Sequence, residues 1–297
     1  MRRRDLLCAA PGLLATSARS QEAPIAAVAD YERSSGGRLG YYAENLLTGR
    51  KLAWRADQRF VMCSTFKASL AALILRRVDR RKDRLEDRIY FKASDVPDWH
   101  APVARANLPR GWLSVREMCE AAVEQSDNTC ANQLLARIGG PSAMTAFWRS
   151  IGDATSRLDA AELELNRTPP GRVENTTTPQ AMADTLKKLV LGPVLSESSR
   201  HTFTSWLVGS KTGGNRLRAG LPGSWVTGDK TGTNGKDAVG DIAVTWPRSD
   251  MPIVIAAYTR GGSPSQQQFE VVFKAIGRSV AENLGSPERV GRRGVTS

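Results

Sequence analysis

The sequence predicts an α+β fold: a mostly antiparallel five-stranded sheet flanked by N- and C-terminal helices, with an inserted all-helical domain. Three observations predict it. Short β-rich, turn-bounded stretches cluster towards the two ends of the chain. The middle instead carries apolar residues at helical spacing. The two strand groups, kept apart by that helical stretch, complete a sheet only if they meet.

Ile25, Val28 and Ala29 mark an opening helix over 22–35, closed by Gly36-Gly37. RLGYYAENL and KLAWRAD read as two strands joined by a turn at Thr48-Gly49. From Thr65 the period changes, and Phe66, Leu70, Leu73, Ile74 and Val78 mark a long amphipathic helix. Ser114-Val115-Arg116-Glu117 reads as a capping box that opens another. Helical spacing continues through Gly139-Gly140-Pro141 to about residue 152. Pro169-Pro170-Gly171 breaks a long loop, and Pro179 begins the helix TPQAMADTLKKLV. SWVTGDKTGT, DIAVTWP and PIVIAAYTR supply three more strands before a last helix from Gln266 to Asn283. The expected division is an export segment over 1–20, a sheet domain of 21–57 with 208–286, a helical domain over 58–207 that includes the loop 160–175, and a flexible basic tail over 287–297. The active site is expected at the interface of the two domains.

Of the 297 residues 41% are hydrophobic and 24% charged, the balance of a globular chain. No apolar run reaches the roughly eighteen residues of a membrane span. The net charge of +12 raises the question of nucleic acid. The arginines are scattered, however, with no basic stripe between aromatics and no nucleic-acid motif, so a solvated basic surface is the reading. MRRRDLLCAAPGLLATSARSQ has a charged head, a short apolar middle from Leu6 to Ala15, and small residues around Ala18 to Ser20. That is the order of an export signal. The arginine pair before Asp5-Leu6-Leu7 resembles a twin-arginine signal, which exports a folded protein. A periplasmic or secreted protein is expected, monomeric, and with no membrane contact after cleavage. Removal of the signal leaves Cys63, Cys119 and Cys130, an odd set with at least one free thiol or an intermolecular link. With no Cys-x-x-Cys and only His100 and His201 as histidines, no zinc site is expected; the expected cofactors are none.

Several short runs carry possible chemistry. Ser64 and Lys67 are three apart at the start of the long helix, so they share a face and the amine can sit beside the hydroxyl. A serine needs such help to act as a nucleophile. Ser126-Asp127-Asn128 lies between two helical segments and reads equally as a helix-capping turn or as part of a site. Lys-Thr-Gly occurs twice, at 211–213 and 230–232. Lys211 ends a helix in a flexible turn and reads as a surface lysine. Lys230 lies on a strand with a hairpin partner after it, which fixes an amine and a main-chain N–H as a site requires. AELELN, residues 161–166, reads as one turn of amphipathic helix. Glu162 and Asn166 then share a face and can grip one water, while Glu164 points elsewhere.

Ser64-x-x-Lys67, Ser126-Asp127-Asn128 and Lys230-Thr231-Gly232, in that order, resemble the motif set of the penicillin-recognising serine enzymes. AELELN between the second and third motifs is similar to its counterpart in the class A β-lactamases. The likeness runs from about residue 22 to residue 285. The resemblance implies a serine hydrolase that opens the β-lactam ring of penicillins and cephalosporins and so confers antibiotic resistance. Ser64 is the implied nucleophile, and the N–H groups of Ser64 and Thr233 the implied oxyanion hole. Ser126 passes a proton to the departing ring nitrogen. Lys230, Thr231, Gly232 and Thr233 hold the substrate carboxylate, and Asn128 its side-chain amide. Glu162, with Asn166, delivers the water that hydrolyses the acyl-enzyme. Whether Lys67 or Glu162 activates Ser64 stays open.

The departures from that pattern are also legible. Leu163 stands where many relatives have proline, which leaves the isomer of the Glu162–Leu163 bond open. Ala160 and Asn175 replace an arginine–aspartate bridge across the neck of the loop 160–175, which implies a looser loop open to bulky oxyimino-cephalosporins. Val239 falls near the place of a carboxylate-binding arginine, and Arg216 matches an alternative position for it. His100 is implied as a rim wall of the cleft. Cys63 is expected to pack as a small apolar residue. The resemblance implies that its disulfide to position 234 in some relatives cannot form, since Asn234 stands there. The disulfide of Cys119 to position 71 in others is implied to be absent too, since Ala71 stands there. A DD-peptidase would leave Glu162 and Asn166 without a use. A penicilloyl sensor would call for a membrane-spanning segment.

Overall fold

The computed structural model describes residues 24–96, 99–169 and 171–287. The expected export segment lies outside them, as does the tail beyond Pro287. Helix α1 (Ala26–Ser35) ends on Gly36, whose φ of 69° is the left-handed stop that glycine adopts without strain. Strands β1 (Arg38–Asn45) and β2 (Lys51–Trp54) form an antiparallel hairpin. Then come β3 (Phe60–Val61), α2 (Phe66–Asp79), β4 (Arg88–Tyr90), α3 (Pro102–Ala106), β5 (Trp112–Ser114), α4 (Val115–Glu124) and α5 (Asn128–Ile138). These are followed by α6 (Pro141–Ser150), β6 (Thr176–Thr177), α7 (Pro179–Val190) and α8 (Glu197–Val208). Strands β7 (Val226–Thr233), β8 (Val239–Trp246) and β9 (Ile253–Arg260) and helix α9 (Gln266–Leu284) close the described chain.

The two strand groups do meet. The sheet runs β2-β1-β9-β8-β7, antiparallel throughout, and β1 pairs with β9 from Arg38↔Arg260 to Asn45↔Ile253. Alternation of side chains explains why PIVIAAY, residues 252–258, is apolar without a break. Ile253, Ile255 and Ala257 join Val28, Phe269 and Phe273 of α1 and α9 on one face. Val254, Ala256 and Tyr258 join the core of the helical body on the other. A strand covered on both sides has no polar face to show. Each large apolar side chain buried in this way contributes about 1.5–3 kcal/mol.

Helix α2 runs through the middle of the helical body. Residues 66–72 are buried on every side, so the amphipathic pattern read from the sequence belongs only to its last turns, where Arg76 and Arg77 reach the surface. The capping box at Ser114 is present: its hydroxyl accepts from Glu117 N, and Glu117 accepts from Ser114 N. The helical spacing over 139–141 is two helices. Helix α5 stops at Gly139, with φ 100°, and α6 starts with Pro141 in its first turn. Two small ladders escape the sequence reading, β4–β5 and β3–β6, because two or three residues are too few to show alternation. The second matters for the site. Phe60↔Thr177 and Val61↔Thr176 tie the chain just before Ser64 to the end of the loop 160–175.

Candidate active site

A short 3₁₀ turn, Cys63–Thr65, feeds α2 and sets Ser64 at the helix N-terminus, where developing negative charge is favoured. Thr65 locks the turn by donating from its hydroxyl to Met62 O at 2.7 Å. Lys67 lies one turn on and is fully buried. Cys63 and Ser126 both sit in the left-handed region, with φ of 45° and 57°. Such positions cost about 1–3 kcal/mol each unless their surroundings hold them, and they cluster at sites.

The Ser64 hydroxyl donates to Glu162 Oε1 at 2.5 Å, and Lys67 Nζ lies 3.1 Å from the same oxygen. Asn166 Nδ2 donates to the other oxygen, Glu162 Oε2, at 2.9 Å. Asn166 Oδ1 is buried and has no hydrogen-bond partner among the described residues. Lys67 Nζ also donates to Ser126 O at 2.9 Å and to Asn128 Oδ1. Ser126 Oγ stands between two ammonium groups, 3.0 Å from Lys230 Nζ and 3.5 Å from Lys67 Nζ. Ser64, Lys67, Ser126, Asn128, Glu162, Asn166 and Lys230 therefore form one connected cluster.

Burial sets the electrostatics. It pushes the Glu162 carboxyl up, but the Lys67 charge, with hydrogen bonds from Ser64, Lys67 and Asn166, outweighs it and holds the group below its ordinary value. Burial pushes Lys67 down against the pull of Glu162. Lys230 falls well below its ordinary value through burial, then through the charges of Lys67 and Arg216. The result is an ionised carboxylate beside two amines that hold their protons loosely.

The segment carrying Glu162 differs from the sequence reading in its local form. Glu164–Arg167 is a 3₁₀ turn, not an α-helical one, and the Glu162–Leu163 peptide bond is cis. Glu162 still faces inward, 6% exposed, while Glu164 pairs with Arg167 at the surface. Leu165 anchors the turn in the helical core. The loop neck is tied although the salt bridge is absent. Asn175 Oδ1 accepts from the N–H groups of Asp159 and Ala160, at 2.8 and 2.9 Å, and its Nδ2 donates to Thr168 Oγ1 at 2.9 Å. A neutral amide closes the neck where a salt bridge is lacking.

The triplet 126–128 turns out to serve both of its readings. Asp127 caps α5 by accepting from Cys130 N at 2.9 Å, and its other oxygen accepts from Val103 N and Ala104 N. Ser126 and Asn128 face the cleft, which has a volume of about 560 Å³. His100 lines its rim, with Nε2 2.7 Å from Gln125 O. Thr231, Gly232 and Thr233 form the opposite wall along β7. Glycine is required at 232, since a Cβ there would stand 2.9 Å from both Met62 O and Ser64 N. Arg216 reaches the cleft, but it is not a free fork. Its Nη1 donates to Gly232 O at 2.8 Å and to Gly240 O at 2.7 Å, and burial lowers its pKa. Val239 is buried on the α1/α9 side of the sheet. Cys63, Cys119 and Cys130 are buried free thiols, and burial pushes the Cys63 thiol up, out of the reactive range. Asn234 caps a tight turn instead, accepting from the N–H groups of Lys236, Asp237 and Ala238.

Sequence reasoning missed two residues. Asn132 donates to Glu162 O at 2.8 Å and accepts from Glu162 N at 3.1 Å. It lies one turn after Asn128 on α5, and that shared face was the available signal. Thr212, in the Lys-Thr-Gly set aside as surface, brings its hydroxyl to 2.6 Å from that of Thr231.

A model described as the beta-lactamase enzyme family matches residues 22–284. Beta-lactamase L2 of Stenotrophomonas maltophilia is 44% identical over 282 residues, 94% of this chain and 92% of that protein. The carbapenem-hydrolyzing beta-lactamase KPC of Klebsiella oxytoca is 42% identical over 258 residues, 86% of this chain and 87% of that one. Among solved structures, an ancestral (GNCA) class A beta-lactamase matches with a TM-score of 0.82 at 50% identity, over 86% of this chain and 97% of that chain.

Proposed function

The chain belongs to the beta-lactamase enzyme family, and from that premise we propose that it hydrolyses the β-lactam ring of penicillins and cephalosporins through an acyl-enzyme on Ser64. Hydrolysis of this kind inactivates the antibiotic and confers resistance. The observation that carries the reading is the Glu162 carboxylate, bonded at one oxygen to Ser64 and at the other to Asn166. A group that only accepts acyl transfer has no need of a second arm on its base.

In acylation the Ser64 proton passes to Glu162, to which the hydroxyl already donates. Lys67, bonded to the same oxygen, keeps the carboxylate ionised and in place. Oγ bonds to the lactam carbonyl carbon, and the oxyanion is met by the N–H groups of Ser64 and Thr233. The C–N bond breaks and the ring nitrogen takes the Ser126 hydroxyl proton, which the adjoining Lys67 ammonium replaces, with Lys230 bonded to the same hydroxyl. Glu162 then passes the Ser64 proton to the Lys67 amine, 3.1 Å away, and is a carboxylate again. In deacylation Glu162 takes a proton from a water that Asn166 Oδ1 can also hold. The resulting hydroxide attacks the ester carbonyl, and Ser64 leaves with that proton. Lys230, Thr231, Thr233 and the unclamped part of Arg216 receive the substrate carboxylate. Asn128 receives the side-chain amide, with His100 as a wall. No metal or organic cofactor enters these steps. Its N-terminal stretch supports export to the periplasm or beyond, and we take the mature enzyme to be a monomer.

Turnover of a chromogenic cephalosporin tests the reading, because a DD-peptidase or a sensor would stop after one equivalent. Glu162→Gln is expected to leave a penicilloyl adduct visible by intact mass, formed more slowly, because Lys67, lowered by burial, can still take the Ser64 proton while no carboxylate remains to deprotonate the water. Rapid clearance of that adduct would remove Glu162 from the hydrolytic step.

A further inference from the structure

The second Lys-Thr-Gly has a built place in the fold. Lys211 N donates to Glu124 O at the end of α4, at 2.8 Å, while its side chain is exposed. Gly213 lies directly on the buried Asp229: a Cβ there would fall 1.7 Å from a carboxylate oxygen. These two anchors press the turn onto β7 and leave Thr212 in the cleft, its hydroxyl 2.6 Å from that of Thr231. Neither Lys211 nor Gly213 contributes a side chain to the cleft, so the turn delivers one group, the Thr212 hydroxyl.

We propose that Thr212 is a positioning residue that selects carboxylate-bearing substrates: its hydroxyl donates to Thr231 Oγ1 and so aims the Thr231 hydrogen at the substrate carboxylate. The proposal rests on the β-lactam reading of the cleft. A hydroxyl has one hydrogen and two acceptor lone pairs. Thr231 alone can turn its hydrogen either way along the pair. A carboxylate only accepts, so its arrival fixes the direction as Thr212 to Thr231 to anion. Each bond in such a chain polarises the next, and the end at the anion is the charge-assisted one. A neutral ester in the same place draws less from Thr231, and therefore less from Thr212. Lys230 and Arg216 attract the carboxylate by charge, but their bonds do not run to the Thr231 hydroxyl: Lys230 Nζ is bonded to Thr231 O and Arg216 Nη1 to Gly232 O, so Thr212 is what orients it.

The test compares acylation of the full chain by benzylpenicillin and by its methyl ester. Wild type, Thr212→Val and Thr212→Ser are each measured as acylation efficiency with both compounds. Thr212→Val is expected to lower the efficiency for the acid about fivefold, the weight of one lost hydrogen bond, and to leave the ester within about twofold. Thr212→Ser is expected to restore the acid. The acid-to-ester ratio is taken on one preparation, so it does not depend on the fraction folded. An unchanged acid efficiency, or an equal loss on acid and ester, overturns the proposal. Acylation needs no deacylation, so a wild type that acylates but does not turn over sinks the hydrolase reading and leaves this one standing. A wild type acylated by neither compound sinks both.

Discussion

Asn132 grips Glu162 by its main chain on both sides, donating to the carbonyl and accepting from the N–H. A loop residue thereby takes its position from a packed helix, α5, whose inner face is buried. The proposed base is held from behind by the same helix that presents Asn128 to Lys67 in front.

Asn132→Ala should therefore harm deacylation more than acylation. Both main-chain groups of Glu162 lose their partner, at about 1–3 kcal/mol for each buried group left unsatisfied. We expect kcat to fall about a hundredfold, with the acyl-enzyme accumulating and KM falling alongside. Rapid-quench kinetics with intact mass reads this directly. Equal loss in both half-reactions would mean that Asn132 supports the fold and not the base.

The pH profile follows from the two groups that share one oxygen. Glu162 must be ionised to accept a proton, and Lys67 holds it below its ordinary value. Activity should persist as pH falls and be lost only below the usual glutamate pKa of about 4.3. On the alkaline side Lys67 and Lys230 are both lowered by burial. The ammonium groups are then lost before the usual lysine pKa of about 10.4. The profile of kcat/KM, which reports the free enzyme, checks both limbs. An acid limb at or above the ordinary glutamate value would show that Lys67 does not stabilise the charge.

Much of this arrangement was legible because it is written in side-chain periodicity and spacing. The β-rich, turn-bounded stretches at the two ends of the chain declare the strands of the sheet, and Ser64 with Lys67 declares a shared helix face. What stayed hidden acts through main chain or through single contacts. Asn175 closes the loop neck on the N–H groups of 159 and 160, which any residues there would offer. Thr212 reads as a turn residue until Gly213 is seen to need the space over Asp229. The 3₁₀ form of Glu164–Arg167 is set by tertiary anchors, Leu165 in the core and Asn132 behind, and not by local propensity.

Gly232→Ala tests the contact between β7 and the nucleophile turn. The added methyl would meet Met62 O and Ser64 N at 2.9 Å, and Cys63 Cβ at 3.0 Å. The first two are main-chain atoms in a turn held by Thr65 and by the ladder to Thr176, so β7 must move away. That motion separates the Ser64 and Thr233 N–H groups, the proposed oxyanion hole. Losing one oxyanion donor costs about a hundred- to a thousandfold, and acylation should slow by that order with the circular-dichroism spectrum unchanged. A loss under tenfold would show that the strand and turn are not rigidly opposed.

Asn175→Ala asks whether a neutral amide does the work of a salt bridge. Asn175 is buried, has φ 56°, and ties three points of the loop together through Asp159, Ala160 and Thr168. Alanine keeps neither the acceptor nor the donor, and it tolerates the left-handed backbone less well than asparagine does. Two N–H groups then lose their partner at a site that water can reach only in part, and the Thr168 hydroxyl is left with its bond to Leu165 O. We expect a stability loss of about 2 kcal/mol and faster amide exchange confined to 160–175. Because Glu162 rides on that loop, deacylation should slow with it, while acylation by a small penicillin changes less. Asn175→Gly separates the two causes: it accepts the backbone angle and lacks the amide, so a glycine variant that behaves like alanine assigns the effect to the hydrogen bonds. Exchange over 160–175 that matches wild type in both variants would show that the neck is held by Arg157 N to Thr176 O and the β3–β6 ladder instead.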